Sequence, residues 1–305
     1  MSPSRRRPVP ASRVSSTTDA PSPDAPSPGP APIAGARSGR VGAARRLKRP
    51  AARREQGRFL VEGVQAVGAA LAVGELLEVF VGVSATPRHE ELLRAVRVPV
   101  RVVTDEAVAS LSETVTPQGL VAVAALPAHR LADLHAPRLV AVCIGAGDPG
   151  NAGTVIRSAD AAGADAVVFT GSGVDPFGGK CVRSSAGSHF HLPVIVEPAL
   201  AGVLDRLRAR GCRIVATSGA ADRDIDTAVA AGELDGPTAW LFGNEAHGLA
   251  SATLAAADAV LRVPVYGQAE SLNLAVASAL CLYASARAQR TGRSGTDGTG
   301  GGGRR

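Results

Sequence analysis

Long hydrophobic runs are absent from this sequence, and their absence excludes a membrane-spanning helix. Such a helix needs about 18–20 consecutive apolar residues, whereas the longest candidate, residues 272–284, is interrupted by Asn273 and Ser278. The basic residues 5–7 are not followed by the apolar segment of a signal peptide either. We therefore expect a soluble, cytoplasmic protein, with an Arg- and Ser-rich transit peptide as the alternative for its first residues.

Cysteine is sparse, and its spacing excludes two classes of site. Cys143, Cys181, Cys212 and Cys281 contain no C-x-x-C pair. This pattern fits neither a disulfide framework nor a cysteine zinc site and is typical of buried thiols. Cys181 has basic neighbours but no base partner that would make it a catalytic nucleophile.

Metal-binding patterns are equally weak, so no metal is predicted. His189 and His191 form an H-x-H pair, but a third ligand at a recognisable spacing is missing. The acidic residues 222, 224 and 226 are interpreted as a solvated loop, with a divalent-cation site as the alternative.

The chain does contain enough apolar residues for a core, and its positive charge is confined to its flanks. Hydrophobic residues make up 45% of the 305 residues, and the net charge is +6. Residues 1–58 contain 13 basic and 3 acidic residues, whereas residues 59–284 contain 15 and 23. A basic segment, residues 41–58, is therefore predicted as an electrostatic contact to a polyanion.

Composition divides the chain into five parts. Nine of the 21 prolines fall within residues 1–40, which lack apolar periodicity and are predicted to be disordered. The predicted parts are a tail at 1–40, an N-terminal domain at 41–126, a linker at 127–137, a larger domain at 138–290 and a Gly-rich tail at 291–305.

Strand and helix patterns alternate in both predicted domains, which indicates an α/β fold. The larger domain has strands rich in Val, Ile and Ala without strict polar alternation, as expected for a mainly parallel sheet flanked by helices. The predicted strands span 79–83, 98–103, 120–125, 139–144, 166–170, 194–196, 213–217, 239–242 and 260–263. The predicted helices span 63–73, 88–96, 105–112, 153–162, 199–210, 247–256 and 272–289.

A Gly-rich loop follows the strand at 139–144. Gly145, Gly147 and Gly150 match the G-x-G-x-x-G pattern of dinucleotide-binding proteins, which makes a nucleotide-dependent oxidoreductase one hypothesis. Pro149 removes a backbone donor from that loop, and no acidic residue ends the next strand, so this hypothesis is disfavoured.

The same loop leads to Asn151 and Arg157. Six residues of helix would separate their directions by about 120°, so both reach one pocket only if Asn151 precedes the helix. Alternatively, Asn151 is a helix cap and Arg157 is a solvated helix residue.

Three polar motifs follow one another along the chain. They are Asn151-x-Gly153 with Arg157, Gly243-Asn244-Glu245-x-x-Gly248 and Ser271-Leu272-Asn273, with Arg183-Ser184-Ser185-Ala186-Gly187 between the first two. In this order they resemble the SpoU/TrmH RNA 2'-O-ribose methyltransferases of the SPOUT superfamily, over residues 53–288. Residues 192–194 and the segment 59–63 are also similar to parts of that family, and Ala246 replaces a commoner glycine.

The resemblance implies a fold, a cofactor and partners. The fold is an α/β domain with a deep trefoil knot, preceded by a small α/β RNA-binding domain. The implied cofactor is S-adenosylmethionine, the substrate a ribosomal or transfer RNA, and the assembly a homodimer packed across the knot. The residues implied for cofactor binding are Thr217, Gly219, Gly243, Val263 and Leu272.

The resemblance also implies catalytic and RNA-binding residues. Arg157 would contact the ribose hydroxyl and a phosphate; arginine is a poor base at pH 7, so orientation is favoured over general-base catalysis. Asn151 and Glu245 would position Arg157 and the nucleotide, and Ser271 and Asn273 would shape the pocket floor. The RNA-binding candidates are Arg183, Ser185, Arg53 and Arg54. The alternative is an RNA-binding protein with this fold and no catalysis, against which the five polar motif residues argue.

Overall fold

The computed structural model describes residues 34–296, with side chains up to residue 291. Its N-terminal half forms a four-stranded mixed sheet in the order β1-β4-β2-β3. Strand β4 is antiparallel to β1 and β2, and β2 is parallel to β3. The elements are α1 (Gly39–Arg46), α2 (Pro50–Gln56), β1 (Arg58–Glu62), α3 (Val64–Ala72), β2 (Leu76–Gly82), α4 (Glu90–Ala95), β3 (Val100–Val103), α5 (Asp105–Ala109) and β4 (Leu120–Ala125).

The C-terminal half forms a six-stranded sheet in the order β10-β8-β9-β5-β6-β7, and all its strand pairs are parallel. The elements are β5 (Leu139–Ile144), α6 (Pro149–Ala162), β6 (Ala166–Thr170), α7 (Gly179–Ser184), β7 (Val194–Val196), α8 (Leu200–Arg208), β8 (Arg213–Thr217), α9 (Ile225–Ala230), β9 (Thr238–Phe242), α10 (Ser251–Ala255), β10 (Ala259–Leu261) and α11 (Leu274–Thr296). The predicted α/β class and parallel sheet are confirmed.

Both faces of the parallel sheet are covered, which explains why its strands are apolar throughout. Alternate residues of β5 enter different cores: Val140 and Val142 pack with α8, whereas Leu139 and Ala141 pack with α6 and α11. The four cysteines are buried and unpaired, as their spacing predicted.

Aromatic side chains join the two halves, which we call the N-terminal and C-terminal domains. Phe59 of β1 lies 5.3 Å from the Phe177 ring, edge to face, and 5.9 Å from the Phe190 ring, stacked. Phe59 is fully buried, so aromatic residues of the other domain complete the packing against the N-terminal sheet. The domains therefore share one hydrophobic core.

Several predicted boundaries are wrong in informative ways. Helix α1 begins at Gly39, and Ala34 forms a bridge with Val103, so the end of the predicted disordered tail is ordered. The rest of that tail lies outside the described residues, as does the C-terminal tail beyond residue 296. Helix α6 begins at Pro149, four residues before the predicted start. The trefoil knot stays a prediction.

Membrane-spanning helices and metal-binding clusters are both missing from the described residues. None of the helices described within residues 34–296 is long and apolar enough to span a membrane. In that same range, no group of three or more His, Cys, Asp or Glu side chains could hold a metal ion.

Candidate active site

The carboxyl ends of the parallel strands surround a cavity of about 920 Å³. This is the edge at which open α/β sheets bind ligands, because the connecting loops diverge there. The cavity is lined by the segments that follow β8, β9 and β10 and by the start of α11. Every predicted catalytic and cofactor-binding residue except Arg157 lines it, namely Asn151, Thr217, Gly219, Gly243, Glu245, Val263, Ser271, Leu272 and Asn273.

Glu245 ties the loop after β9 to the loop after β5. Its carboxylate accepts hydrogen bonds from Gly147 N at 2.9 Å, Asp148 N at 3.1 Å and Asn151 Nδ2 at 3.1 Å. Partial burial acts to raise the pKa of Glu245, but the Gly147 N–H and the Asn151 amide outweigh it and lower the pKa. Glu245 is therefore an ionised positioning group.

These bonds also decide the interpretation of the G-x-G-x-x-G loop. A dinucleotide-binding loop offers its backbone N–H groups to a pyrophosphate. Here the N–H groups of Gly147 and Asp148 bind the Glu245 carboxylate instead. The Glu245 carboxylate thus occupies backbone donors that a pyrophosphate would need, which argues against the oxidoreductase hypothesis.

A chain of amides connects the first and third motifs. Asn273 Nδ2 donates to Asn151 Oδ1 at 3.0 Å, while Asn151 Nδ2 donates to Glu245. Asn244 Nδ2 donates to Gly145 O at 2.8 Å and holds the second motif on the same loop. Residues from all three motifs are therefore joined in one hydrogen-bonded network.

The cavity fits a cofactor bound by backbone groups. Among the described residues, the backbone N–H groups of Gly219, Val263 and Leu272 form no hydrogen bond, although they belong to lining residues. Gly243 permits the tight turn beneath them, because a Cβ there would lie 2.3 Å from Gly248 C. Val263 and Leu272 are half-buried and Gly219 is exposed. Backbone donors that line a cavity without protein partners are suited to a polar ligand such as a nucleoside.

Arg157 lies apart from the cavity. Because α6 begins at Pro149, Asn151 and Arg157 are both helical and point about 120° apart. Arg157 is exposed and forms no hydrogen bond or ion pair with any residue of the described range 34–296. The structure thus places four of the predicted catalytic residues, Asn151, Glu245, Ser271 and Asn273, around the cavity. The fifth, Arg157, lies outside it.

The predicted RNA-binding residues differ sharply in exposure. Arg53 is 3% exposed and bonds Leu47 O, Lys48 O and Asp175, so it connects the domains and is closed to RNA. Ser185 is fully buried and is hydrogen-bonded to His189 Nδ1 at 2.6 Å. Like Arg53, Ser185 is therefore a structural residue. Arg54 is exposed, and Arg183 is half-buried.

Two site residues were missed by the sequence analysis. Asp148 is the cap of α6: its Oδ1 accepts from Asn151 N at 2.9 Å, and its Oδ2 binds Lys180 Nζ at 2.7 Å. The Lys180 contact lowers the pKa of Asp148, with a smaller contribution from the Asn151 N–H. Asp before Pro is a recognisable helix-start signal that could have identified the cap.

Comparisons with known proteins show the family of this chain. The SpoU rRNA Methylase family matches residues 138–283, and an MRM3-like substrate binding domain matches residues 39–122. The chain is 38% identical over 228 residues to the 23S rRNA (guanosine(2553)-2'-O)-methyltransferase RlmP of Bacillus subtilis, covering 74% of this chain and 87% of that protein. This chain belongs to the SpoU rRNA methylase family.

Other members of the family share the fold over most of their length. The crystal structure of the SpoU methyltransferase AviRb from Streptomyces viridochromogenes with AdoMet has a TM-score of 0.74 and 31% identity, covering 84% of this chain and 99% of that one. A crystal structure described as an RNA 2'-O ribose methyltransferase has a TM-score of 0.73 and 34% identity, covering 85% and 99%. Membership in the SpoU family accounts for the order of the three motifs.

Proposed function

We propose that this protein transfers a methyl group from S-adenosylmethionine to a ribose 2'-hydroxyl of ribosomal RNA. The observation that carries the proposal is the hydrogen-bonded network that joins Asn151, Glu245 and Asn273 at a cavity with free backbone donors. The named activities of RlmP and of the S. viridochromogenes 23S rRNA (uridine(2479)-2'-O)-methyltransferase, 33% identical over 253 residues, support an RNA ribose as substrate.

The chain would contribute alignment and electrostatics to this reaction. S-adenosylmethionine, when bound, supplies a methyl group made reactive by its sulfonium. Gly219, Gly243, Val263 and Leu272 would hold the cofactor through backbone groups, with Thr217 beside them. Asn151 and Asn273 would fix the nucleotide, and the ionised Glu245 would hold the Asn151 loop in place. Arg157 would orient the 2'-hydroxyl and neutralise an adjacent phosphate.

The cofactor and the product can be measured directly. Calorimetry should detect S-adenosylmethionine binding and no NADH binding. Labelled S-adenosylmethionine, incubated with 23S rRNA or with total tRNA, should label the rRNA at one alkali-resistant linkage. Label in tRNA alone would redirect the substrate assignment, and cofactor binding without any labelled RNA would favour a non-catalytic RNA-binding protein.

The position of Arg157 supports a second copy of the chain as partner. Helices α6 and α11 run parallel, because Asn273 contacts Asn151 at their starts and the Tyr283 hydroxyl donates to Ala161 O ten residues further along both. Val276, Leu280 and Tyr283 are 50%, 44% and 44% exposed on this face of α11. Arg157 precedes Ala161 by four residues on α6 and so shares the side of that helix that Tyr283 contacts. A partner packed on the apolar strip would therefore receive Arg157 at its own cavity.

A complementation experiment tests the shared site. Arg157→Ala and Glu245→Ala should each abolish methylation, whereas an equilibrated equimolar mixture should recover about a quarter of wild-type activity by random exchange of subunits. Arg206→Ala, an exposed arginine on α8, is the matched control and should keep full activity. No recovery in the mixture would place Arg157 and Glu245 in the same chain's site. Leu280→Glu should give a monomer in sedimentation experiments.

A further inference from the structure

A second cavity, with a volume of about 650 Å³, lies between the two domains. We call it the interdomain groove and define it by Glu62, Gln65, Arg88, Gln118 and Arg183. Only Arg183, on α7, belongs to the C-terminal domain; the others lie at the end of β1, the start of α3 and the turns before α4 and β4. The volume falls within the range of about 300–1,000 Å³ found for small-ligand sites.

The groove contains polar groups with unused hydrogen-bonding capacity. Arg88 is exposed and forms no hydrogen bond or ion pair with the residues described between 34 and 296. Arg183 contacts Glu62 Oε2 through Nη1 alone, at 3.4 Å, and its side chain is 36% exposed. Gln118 Oε1 accepts from Val64 N at 3.1 Å, which leaves its NH₂ group for a ligand. Two guanidinium groups and one amide therefore line the same groove.

The charges of the groove favour a single nucleotide over a continuous phosphate backbone. Glu62 and Glu91 balance Arg88 and Arg183 in formal charge. Glu62 is 9% exposed and is bound by the Ser112 hydroxyl and by Arg183, whereas Glu91 has no ion pair within the described part of the chain. Guanidinium groups suit one phosphate, and an unpaired carboxylate suits the N–H edge of a base.

The walls of the groove are fixed across the domain boundary. Gly187 has φ +101°, and a Cβ there would lie 2.9 Å from Ala69 Cβ of α3. Its neighbour Ala186 lines the groove with φ +50°, in the left-handed region that residues other than glycine rarely adopt. Such a conformation persists only where the surrounding packing holds it. The groove is therefore preformed, which lowers the entropic cost of binding.

Helix α7 places the groove close to the proposed methyl-transfer site. Lys180 binds Asp148, the cap of α6, and Arg183 lines the groove three residues later. Residues three apart lie on the same side of a helix, about 5–6 Å from each other. Adjacent nucleotides of an RNA strand can therefore reach both places.

We propose that the interdomain groove binds one unpaired nucleotide of the RNA, near the nucleotide that is methylated, with its phosphate on Arg88 and Arg183. This inference rests on the RNA substrate assigned under the proposed function. The groove would select the substrate by an RNA segment that the catalytic cavity does not contact, and it requires both domains because its arginines come from both.

Steady-state kinetics with matched arginine variants test the proposal. Arg88→Ala should raise KM for the rRNA about 5–20-fold, as expected for one lost guanidinium–phosphate contact, and leave kcat and the Kd for S-adenosylmethionine unchanged. Arg94→Ala, an exposed arginine on α4 outside the groove, should change KM less than twofold. Equal KM values for Arg88→Ala and Arg94→Ala would overturn the proposal, provided that both variants keep the wild-type Tm.

Photocrosslinking separates this proposal from the proposed function. Gln65 is exposed on the groove, so p-benzoylphenylalanine at position 65 should crosslink to one unpaired nucleotide of the RNA, and the same group at position 94 should not. Crosslinking at 65 without methylation by the wild-type chain would refute catalysis alone. Methylation with equal crosslinking at 65 and 94 would refute the groove alone.

Discussion

The two domains differ in where their polar and charged side chains lie relative to the β-sheet. In the C-terminal domain, side chains from three loops meet at the carboxyl edge of a parallel sheet and bond to one another through Glu245. In the N-terminal domain, the mixed sheet is covered on both faces, and exposed arginines of the basic segment lie outside it on and around α1 and α2. From this difference we expect the C-terminal domain to align the reacting groups and the basic segment of the N-terminal domain to contact the RNA.

Arg53 and Arg54 show the same contrast at the scale of two neighbours. Arg53 is buried against Asp175 of the other domain, whereas Arg54 is exposed. The basic segment is therefore both a structural connection and a charged surface. Sequence composition alone treats the two arginines as equivalent.

The largest expected effect concerns the alignment of the reacting groups, which depends on Glu245. Glu245→Ala should lower kcat at least about 100-fold, because Gly147 N, Asp148 N and the Asn151 amide lose their common acceptor. RNA affinity, measured by fluorescence anisotropy, should stay within twofold of the wild type. A comparable loss of RNA affinity would mean that alignment of the reaction and RNA binding are not separated between the two domains.

The next effect concerns the connection between the domains. Arg53→Ala should lower the free energy of unfolding by about 2–4 kcal/mol, because Asp175 and two backbone carbonyls lose a buried partner. Arg54→Ala, the exposed neighbour, should change it by less than about 0.5 kcal/mol. Urea unfolding measures both, and equal values would show that Arg53 does not hold the domains together.

A smaller effect is expected for RNA binding by the basic segment. Replacing Arg45, Arg46, Arg49 and Arg54 with alanine removes four exposed charges and keeps the buried Val41 and Leu47 that anchor α1. RNA affinity should fall about 10-fold at physiological salt, and the slope of log K against log salt should decrease by about 2–3. The double variant Arg94→Ala, Arg206→Ala should keep the wild-type slope. An unchanged slope in the fourfold variant would remove the basic segment from the RNA contact.

The smallest effect is the pH dependence of the Glu245 contacts. The pKa of Glu245 is lowered by folding, so its stabilisation is fully present above its unfolded value of about 4.5 and is lost as the pH falls through its folded pKa. The difference in unfolding free energy between the wild type and Glu245→Gln should therefore be constant from pH 8 to 6 and shrink below pH 4.5. A difference that grows as the pH falls would contradict the assigned direction.

Much of the parallel sheet could be predicted, because its strands are continuous apolar runs. Strands β5, β6, β7 and β8 lie at the predicted residues, as does β4 of the other sheet. Helices α7 and α9 were not predicted, since six residues carry too little periodicity for detection. Strand β1 is not predicted from the sequence, because it follows directly on the charged helix α2.

The sequence by itself determined the fold class, the buried free cysteines and the order of motifs that lead to the SpoU family. These properties depend on local apolar patterns and on residues close together in the chain. Only the tertiary structure decided that α6 begins at Pro149, that Arg53 and Ser185 are buried and that Arg157 lies outside its own chain's cavity. Those properties depend on which surfaces pack together across distances of about 100 residues in sequence, as Glu245 and Gly147 do, and no local pattern encodes such contacts.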